Sequence, residues 1–135
     1  MDLDGLVPAI REYVRSLTDE DGSSTNFRIS ASLEREPSPD RRLILYRIAQ
    51  SALTNVRKHA NARQVTITLT TQDGGVLLRI EDDGKGGLPS DLGDRPGHLG
   101  LAAMRERAEL AGGWWRIDPR EGGGTVVACF VPHEE

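Results

Sequence analysis

The spacing of apolar and polar positions changes several times along the chain, and each change marks an element. Over residues 2–18, Leu6, Ile10, Val14 and Leu17 recur at three and four, which predicts a helix with Pro8 near its start. Residues 19–24 (DEDGSS) break that pattern as a loop does. Residues 26–33 then alternate Phe27, Ile29, Ala31 and Leu33 with polar positions, the two-residue period of a half-buried strand. Residues 38–61 return to a helical period. Ser38 suits the cap, Pro39 the first helical position, and Asn61 an exit with positive φ. At about 100° per residue, Leu45, Tyr46, Ala49, Ala52, Leu53, Val56 and Ala60 share one arc, predicted to face the core. Beside it runs a second arc with Ser51, Asn55, Lys58 and His59. Alone, such a stripe reads as a solvated helix face.

Downstream, Val65, Ile67 and Leu69 alternate, a turn falls at Asp73-Gly74-Gly75, and the chain returns from Val76 to Ile80 as a hairpin. From Asp82 to Gly97 the chain is rich in Gly, Pro and Asp, with seven Gly or Pro from Gly84 through Gly97, so it is expected to form an irregular functional loop or lid. Residues 98–110 are predicted helical, with Leu101, Met104, Ala108 and Leu110 on the apolar side and Gly112-Gly113 as the stop. Strands at 114–118 and 125–131, joined by EGGG, complete the chain. Helices on one face of a mostly hairpin-connected strand set imply an α/β two-layer sandwich. Its mixed sheet is largely antiparallel, since the turns are too short for crossover helices. A doubly wound dinucleotide fold is disfavoured.

Composition narrows the possibilities. At 135 residues the chain suits one domain, and 37% hydrophobic and 28% charged residues with mean hydropathy −0.44 describe an ordinary globular protein. No apolar run reaches the length of a membrane span and no signal peptide is legible, so a cytoplasmic location with no membrane contact is expected. Net charge is −4 with the basic residues scattered, which argues against nucleic-acid binding. The single cysteine, Cys129, lies in an apolar run and reads as core.

Two glycine clusters carry the candidate chemistry. After the second hairpin strand comes Asp82, Gly84 and Gly86 in the order D-x-G-x-G. Glycines let the main chain approach a flat ligand, and a carboxylate ahead of them can accept from an exocyclic amine such as that of adenine, where guanine would present an oxygen. The second cluster, Gly97-His98-Leu99-Gly100-Leu101, precedes a helix, whose first N–H groups favour a phosphate. Each alone is also a common turn or helix entrance.

Taken together, Asn55 with Lys58-His59, then D-x-G-x-G, then G-x-x-G-L, then Gly-Gly-Thr125 resemble the catalytic and ATP-binding domain of sensor histidine kinases. That superfamily also holds gyrase, heat-shock chaperones and mismatch-repair ATPases. LYRIAQSALTNVRKHANA and GHLGLAAMRERAELAGG resemble the nitrate-sensor and membrane-fluidity-sensor subgroup. The resemblance implies a Bergerat-type ATP-binding fold over residues 1–135, with 1–18 as the junction after a missing dimerisation domain. It implies ATP and Mg²⁺ as ligands, Asn55 on the metal, and Lys58 and His59 facing the phosphates. Asp82 would take the adenine amine, Gly84 and Gly86 would shape the pocket, and Thr125 would support Asp82 or a water near it. Gly97, His98, Gly100 and Leu101 would close over the phosphates.

The partners implied are a histidine-bearing dimerisation domain of the same kinase and, indirectly, a response regulator, with this fragment monomeric. His59, His98 and His133 all lie in or after the nucleotide motifs, so none reads as the phosphate acceptor. The chain also departs from the family pattern, which has glutamate four residues before the asparagine where this chain has Ser51. A serine hydroxyl is a poor base at neutral pH. That leaves open a lost activity, a phosphotransfer that needs the carboxylate less than hydrolysis does, or a deliberate alteration. The competing expectations are a catalytically impaired nucleotide-binding regulatory module and an anti-sigma serine kinase of the same superfamily.

Overall fold

A computed structural model describes residues 5–21, 25–59, 62–84 and 101–133. Three helices, α1 (Leu6–Asp21), α2 (Pro39–His59) and α3 (Leu101–Leu110), accompany five strands. These are β1 (Asn26–Ser32), β2 (Gln64–Gln72), β3 (Gly75–Asp82), β4 (Trp114–Pro119) and β5 (Thr125–Pro132). The strands form one sheet in the order β1-β2-β3-β5-β4. Its β1–β2 pair is parallel, with α2 as the crossover, and the other pairs are antiparallel. The α/β sandwich with a mixed, largely antiparallel sheet is therefore present as the sequence implies.

Alternation decides which face of the sheet the helices cover. Val65, Ile67 and Leu69 of β2, Val76, Leu78 and Ile80 of β3 and Val127, Cys129 and Val131 of β5 are buried with the apolar faces of the helices. The intervening threonines of β2 remain half-exposed on the open side. Burial pushes the Cys129 thiol up to about 12, so it stays protonated and inert in the core.

Several local expectations are corrected. On α2 the buried arc takes in Ile48, with no exposed surface, and leaves Tyr46 at its margin, edge-on to Tyr13 of α1. Leu110, expected on the apolar side of its helix, is 82% exposed. It stands nine residues after Leu101, about 180° around the helix, and Ala111 takes the inward position instead. The α2–β2 connection includes residues 60 and 61, so the expected roles of Ala60 and Asn61 lie outside the described residues.

Asp73 and Gly74 alone make the hairpin turn, with φ of 48° and 77°, the left-handed pair of a two-residue type I′ loop. Gly75 belongs to the ladder instead, where a side chain would collide with the main chain of β5. α3 ends in a Schellman motif, with Gly112 at φ 87°, Gly113 N–H donating to Ala108 O at 2.9 Å and Gly112 N–H to Glu109 O at 3.0 Å. No helix among the described residues is long and apolar enough to cross a membrane.

Candidate nucleotide site at one end of the sheet

The strand register gathers the singled-out residues at one end of the sheet. Asp82, the last residue of β3, pairs with Val65 at the start of β2 and with Thr125 at the start of β5. α2 runs into that same end, because its last residue, His59, precedes β2 by only a short connection. At the opposite end Arg41, in the first turn of α2, donates to Ala111 O after α3 at 2.7 Å. The end of α3 therefore lies beside the start of α2, and the two helices share the core, with Leu101 and Met104 buried on α3 and Leu45, Ile48 and Leu53 on α2.

Asp82 was expected to open an irregular loop, and it instead closes a strand. That difference sets its chemistry. The alternation that buries Val76, Leu78 and Ile80 turns Asp82 inward as well, leaving it 3% exposed, the one buried charged residue among those described. Burial lifts its carboxyl above the ordinary carboxylate range, with Asp83 pushing the same way. The Gly84 N–H, donating to Oδ1 at 2.9 Å, is the largest opposing influence, followed by the Arg120 charge and the Thr125 main chain. Thr125 thus sits directly across from Asp82 in register.

On α2, Ser51 and Asn55 are one turn apart and half-buried. The Asn55 side-chain nitrogen is buried without a hydrogen-bond partner among the described residues. An amide's oxygen and nitrogen exchange places on a 180° flip, so this amide can present its oxygen at the unpartnered position. Gln50, one residue before Ser51, has its side chain on the Tyr46 hydroxyl. Leu101 is buried at the start of α3. Lys58 and His59 form the last turn of α2, but their side chains lie outside the described residues, as do Gly86, Gly97, His98 and Gly100.

Two contributors, Asp83 and Arg120, were not singled out from the sequence, and a third, Gly124, entered only within the Gly-Gly-Thr pattern. Asp83 Oδ1 accepts from the N–H groups of Arg63 and Gln64, both at 2.9 Å, tying the site loop to the start of β2. Gly124, at φ 110°, lies so close to Asp82 that a Cβ would come within 1.9 Å of the Asp82 carbonyl oxygen. Arg120 bridges the β4–β5 turn to Glu81 at 2.7 Å. The glycine run and the double aspartate were visible signals, but their partners are distant in sequence.

The N–H groups facing Asp83 hold its carboxyl below the ordinary range, Gln64 most of all. A depressed folded-state value means the interaction stabilises the fold above the unfolded pKa of about 3.9 and is lost as pH falls through the folded value. Asp83→Asn is therefore expected to lower the thermal midpoint at neutral pH, with the gap to wild type closing in strongly acid solution. A gap that stays constant from neutral to acid pH in melting curves would refute the clamp.

Comparisons with known proteins show the family and the fold. Residues 40–135 match the family model described as histidine kinase-, DNA gyrase B-, and HSP90-like ATPase. The chain is 30% identical over 131 residues to the signal transduction histidine-protein kinase/phosphatase DegS of Bacillus subtilis, spanning 95% of this chain and 34% of that protein. It is 33% identical over 131 residues to the nitrate/nitrite sensor protein NarX of Escherichia coli, spanning 94% of this chain and 22% of that protein. The chain thus covers about a third or less of these relatives. Among solved structures, the mycobacterial sensor histidine kinase MprB superposes with TM-score 0.73 at 20% identity, over 96% of this chain and 95% of that one, a likeness of fold.

Proposed function

Because the chain belongs to the histidine kinase-, DNA gyrase B- and HSP90-like ATPase family, we propose that it is the ATP-binding catalytic domain of a sensor histidine kinase. In this reading residues 1–135 form one domain, and α1 is the junction to a dimerisation domain whose histidine accepts the γ-phosphoryl group. A response regulator is the indirect partner, and the isolated domain is monomeric.

The observation that carries the reading is the buried Asp82 carboxylate. An ionisable group is expensive to bury and persists where it meets a specific partner. The Gly84 N–H on Oδ1, with the Thr125 main chain as a lesser influence, leaves it with acceptor capacity for a further donor. The amino group of adenine supplies that donor, and the glycines beside Asp82 let a flat base approach. The phosphates would fall toward α2 and the start of α3, near Asn55, Lys58, His59 and the segment 97–101.

The unpartnered amide of Asn55 fits a Mg²⁺·triphosphate. Among the described residues no cluster of three His, Cys, Asp or Glu side chains could hold a metal. One amide oxygen, with phosphate oxygens and waters completing the shell, matches how magnesium is commonly bound. Bound there, the ion would neutralise phosphate charge. The protein's own contribution is positional: Asp82 fixes the base, Asn55 the phosphate end, and Lys58 adds a compact positive charge.

A second reading is favoured by Ser51. With no carboxylate at this position and Gln50 about 100° around the helix from it, the site binds nucleotide without activating an attacking group, and the domain is a nucleotide-dependent regulatory module.

Calorimetric titration with Mg-ATP and Mg-GTP tests the shared premise. ATP is expected to bind at least about 100-fold more tightly than GTP, because guanine sets an acceptor oxygen against the carboxylate and leaves both unpaired. Equal affinities would sink both readings.

A further inference from the structure

The turn between β4 and β5 contains Gly122, Gly123 and Gly124 in succession, all with positive φ (88°, 113° and 110°). Such a segment has much conformational freedom to lose and does not hold a shape unaided. Yet its last glycine sits against the Asp82 main chain. A Cβ on Gly123 would also stand 3.9 Å from the Gly84 oxygen. The turn therefore abuts both the first and third residues of the D-x-G motif.

Arg120 supplies the missing rigidity. Its Nε donates to Glu81 Oε2 at 2.7 Å and its Nη1 to Gly123 O at 3.0 Å. Its main-chain N–H donates to Gly124 O, and its own carbonyl accepts from the Gly123 N–H, both at 3.0 Å. Glu81 is the neighbour of Asp82 on β3, and strand alternation places its side chain on the open face while Asp82 points inward. The clamp thus grips the strand from the side opposite the candidate pocket.

We propose that Arg120 is a positioning residue of the nucleotide site: by joining Glu81 to the glycine turn it presses Gly124 against Asp82 and holds the Asp82 carboxylate in register for the base. This rests on the ATP-binding reading. Arg120 touches no part of the proposed nucleotide site and acts through the turn and through its charge. Among the described residues the charged groups acting on Asp82 are Asp83, which favours the protonated carboxyl, and Arg120, which favours the ionised one. Removing Arg120 should therefore loosen the turn and also let Asp82 protonate at higher pH.

The test is Mg-ATP affinity across pH for wild type, Arg120→Gln, Arg120→Lys and Glu81→Gln, with melting curves for each. Arg120→Gln leaves Glu81 paired with Arg79 at 3.3 Å, so no isolated charge results. Loss of a group that orients a binding residue commonly costs about 10- to 100-fold. Arg120→Gln is accordingly expected to bind ATP about tenfold more weakly at neutral pH, with the acid loss of affinity moved to higher pH. Arg120→Lys keeps the charge but not the fork, so it should restore the pH profile and only part of the affinity.

Glu81→Gln retains the Arg120 charge and is expected to weaken binding without moving the pH profile; it serves as the reading if Arg120→Gln does not fold. Folded variants that bind as wild type does at every pH, with only lower melting points, overturn the positioning role and leave ATP binding intact. A wild-type protein that fails to bind ATP overturns the nucleotide reading itself, and the role of Arg120 with it.

Discussion

Asp82→Asn is expected to weaken Mg-ATP binding at least about 100-fold while leaving the fold in place, the cost of losing a charge-assisted hydrogen bond and stranding a buried donor. The carboxylate has two oxygens and is met by the Gly84 N–H at 2.9 Å and by the Thr125 main chain. An asparagine has one oxygen and one NH₂ group. If the oxygen stays on the protein donors, the NH₂ faces the amino group of adenine, donor against donor. If the amide flips, a protein N–H loses its partner instead. Either orientation leaves one unsatisfied pair in a residue that is only 3% exposed. Calorimetry with the folded variant checks this, and undiminished ATP affinity would remove Asp82 from the base site.

Ser51→Glu should have the opposite kind of effect, on rate and not on affinity. A positioned general base is worth about 10²- to 10⁴-fold in a proton-transfer step. Ser51 is half-buried one helical turn from Asn55, so a longer side chain there can extend along the same edge of α2. The neighbouring Gln50 lies about 100° around the helix and does not substitute. In the full-length kinase, phosphorylation of the acceptor histidine by the Ser51→Glu variant is expected to rise about 100-fold at unchanged ATP affinity. Equal rates before and after would show that phosphotransfer in this protein does not depend on a carboxylate at this position, and would remove the ground for the impaired-module reading.

The two variants separate binding from chemistry because they act on different elements. Asp82 belongs to the sheet and Ser51 to the helix packed over it. The antiparallel β2–β3 pairing and the short connection that carries α2 into β2 bring the end of α2 and the end of β3 to the same end of the sheet.

Much of this arrangement was legible in the chain. Leu6, Ile10, Val14 and Leu17 lie buried on α1 as their spacing implies, and the alternation of β2 holds from Val65 to Leu69. Period and turn chemistry are local properties, written over a few residues, and so are the D-x-G-x-G and Gly-Gly-Thr patterns. Less legible were positions whose surroundings come from far along the chain. Leu110 looks apolar and is exposed because it stands on the side of α3 opposite Leu101, whereas Ile48 completes the buried side of α2.

The sequence by itself therefore determined the element types, the layer architecture and the family of chemistry, since hydrophobic period, glycine conformation and motif order all act at short range. Only the tertiary structure decided that Asp82 ends a strand and is buried, that Asp83 ties the site loop to β2, and that Gly124 lies against the Asp82 main chain while Arg120 joins its turn to Glu81. Those contacts join residues about 20 to 40 positions apart. Their energy depends on the burial and register that the whole sheet imposes, which no local stretch contains.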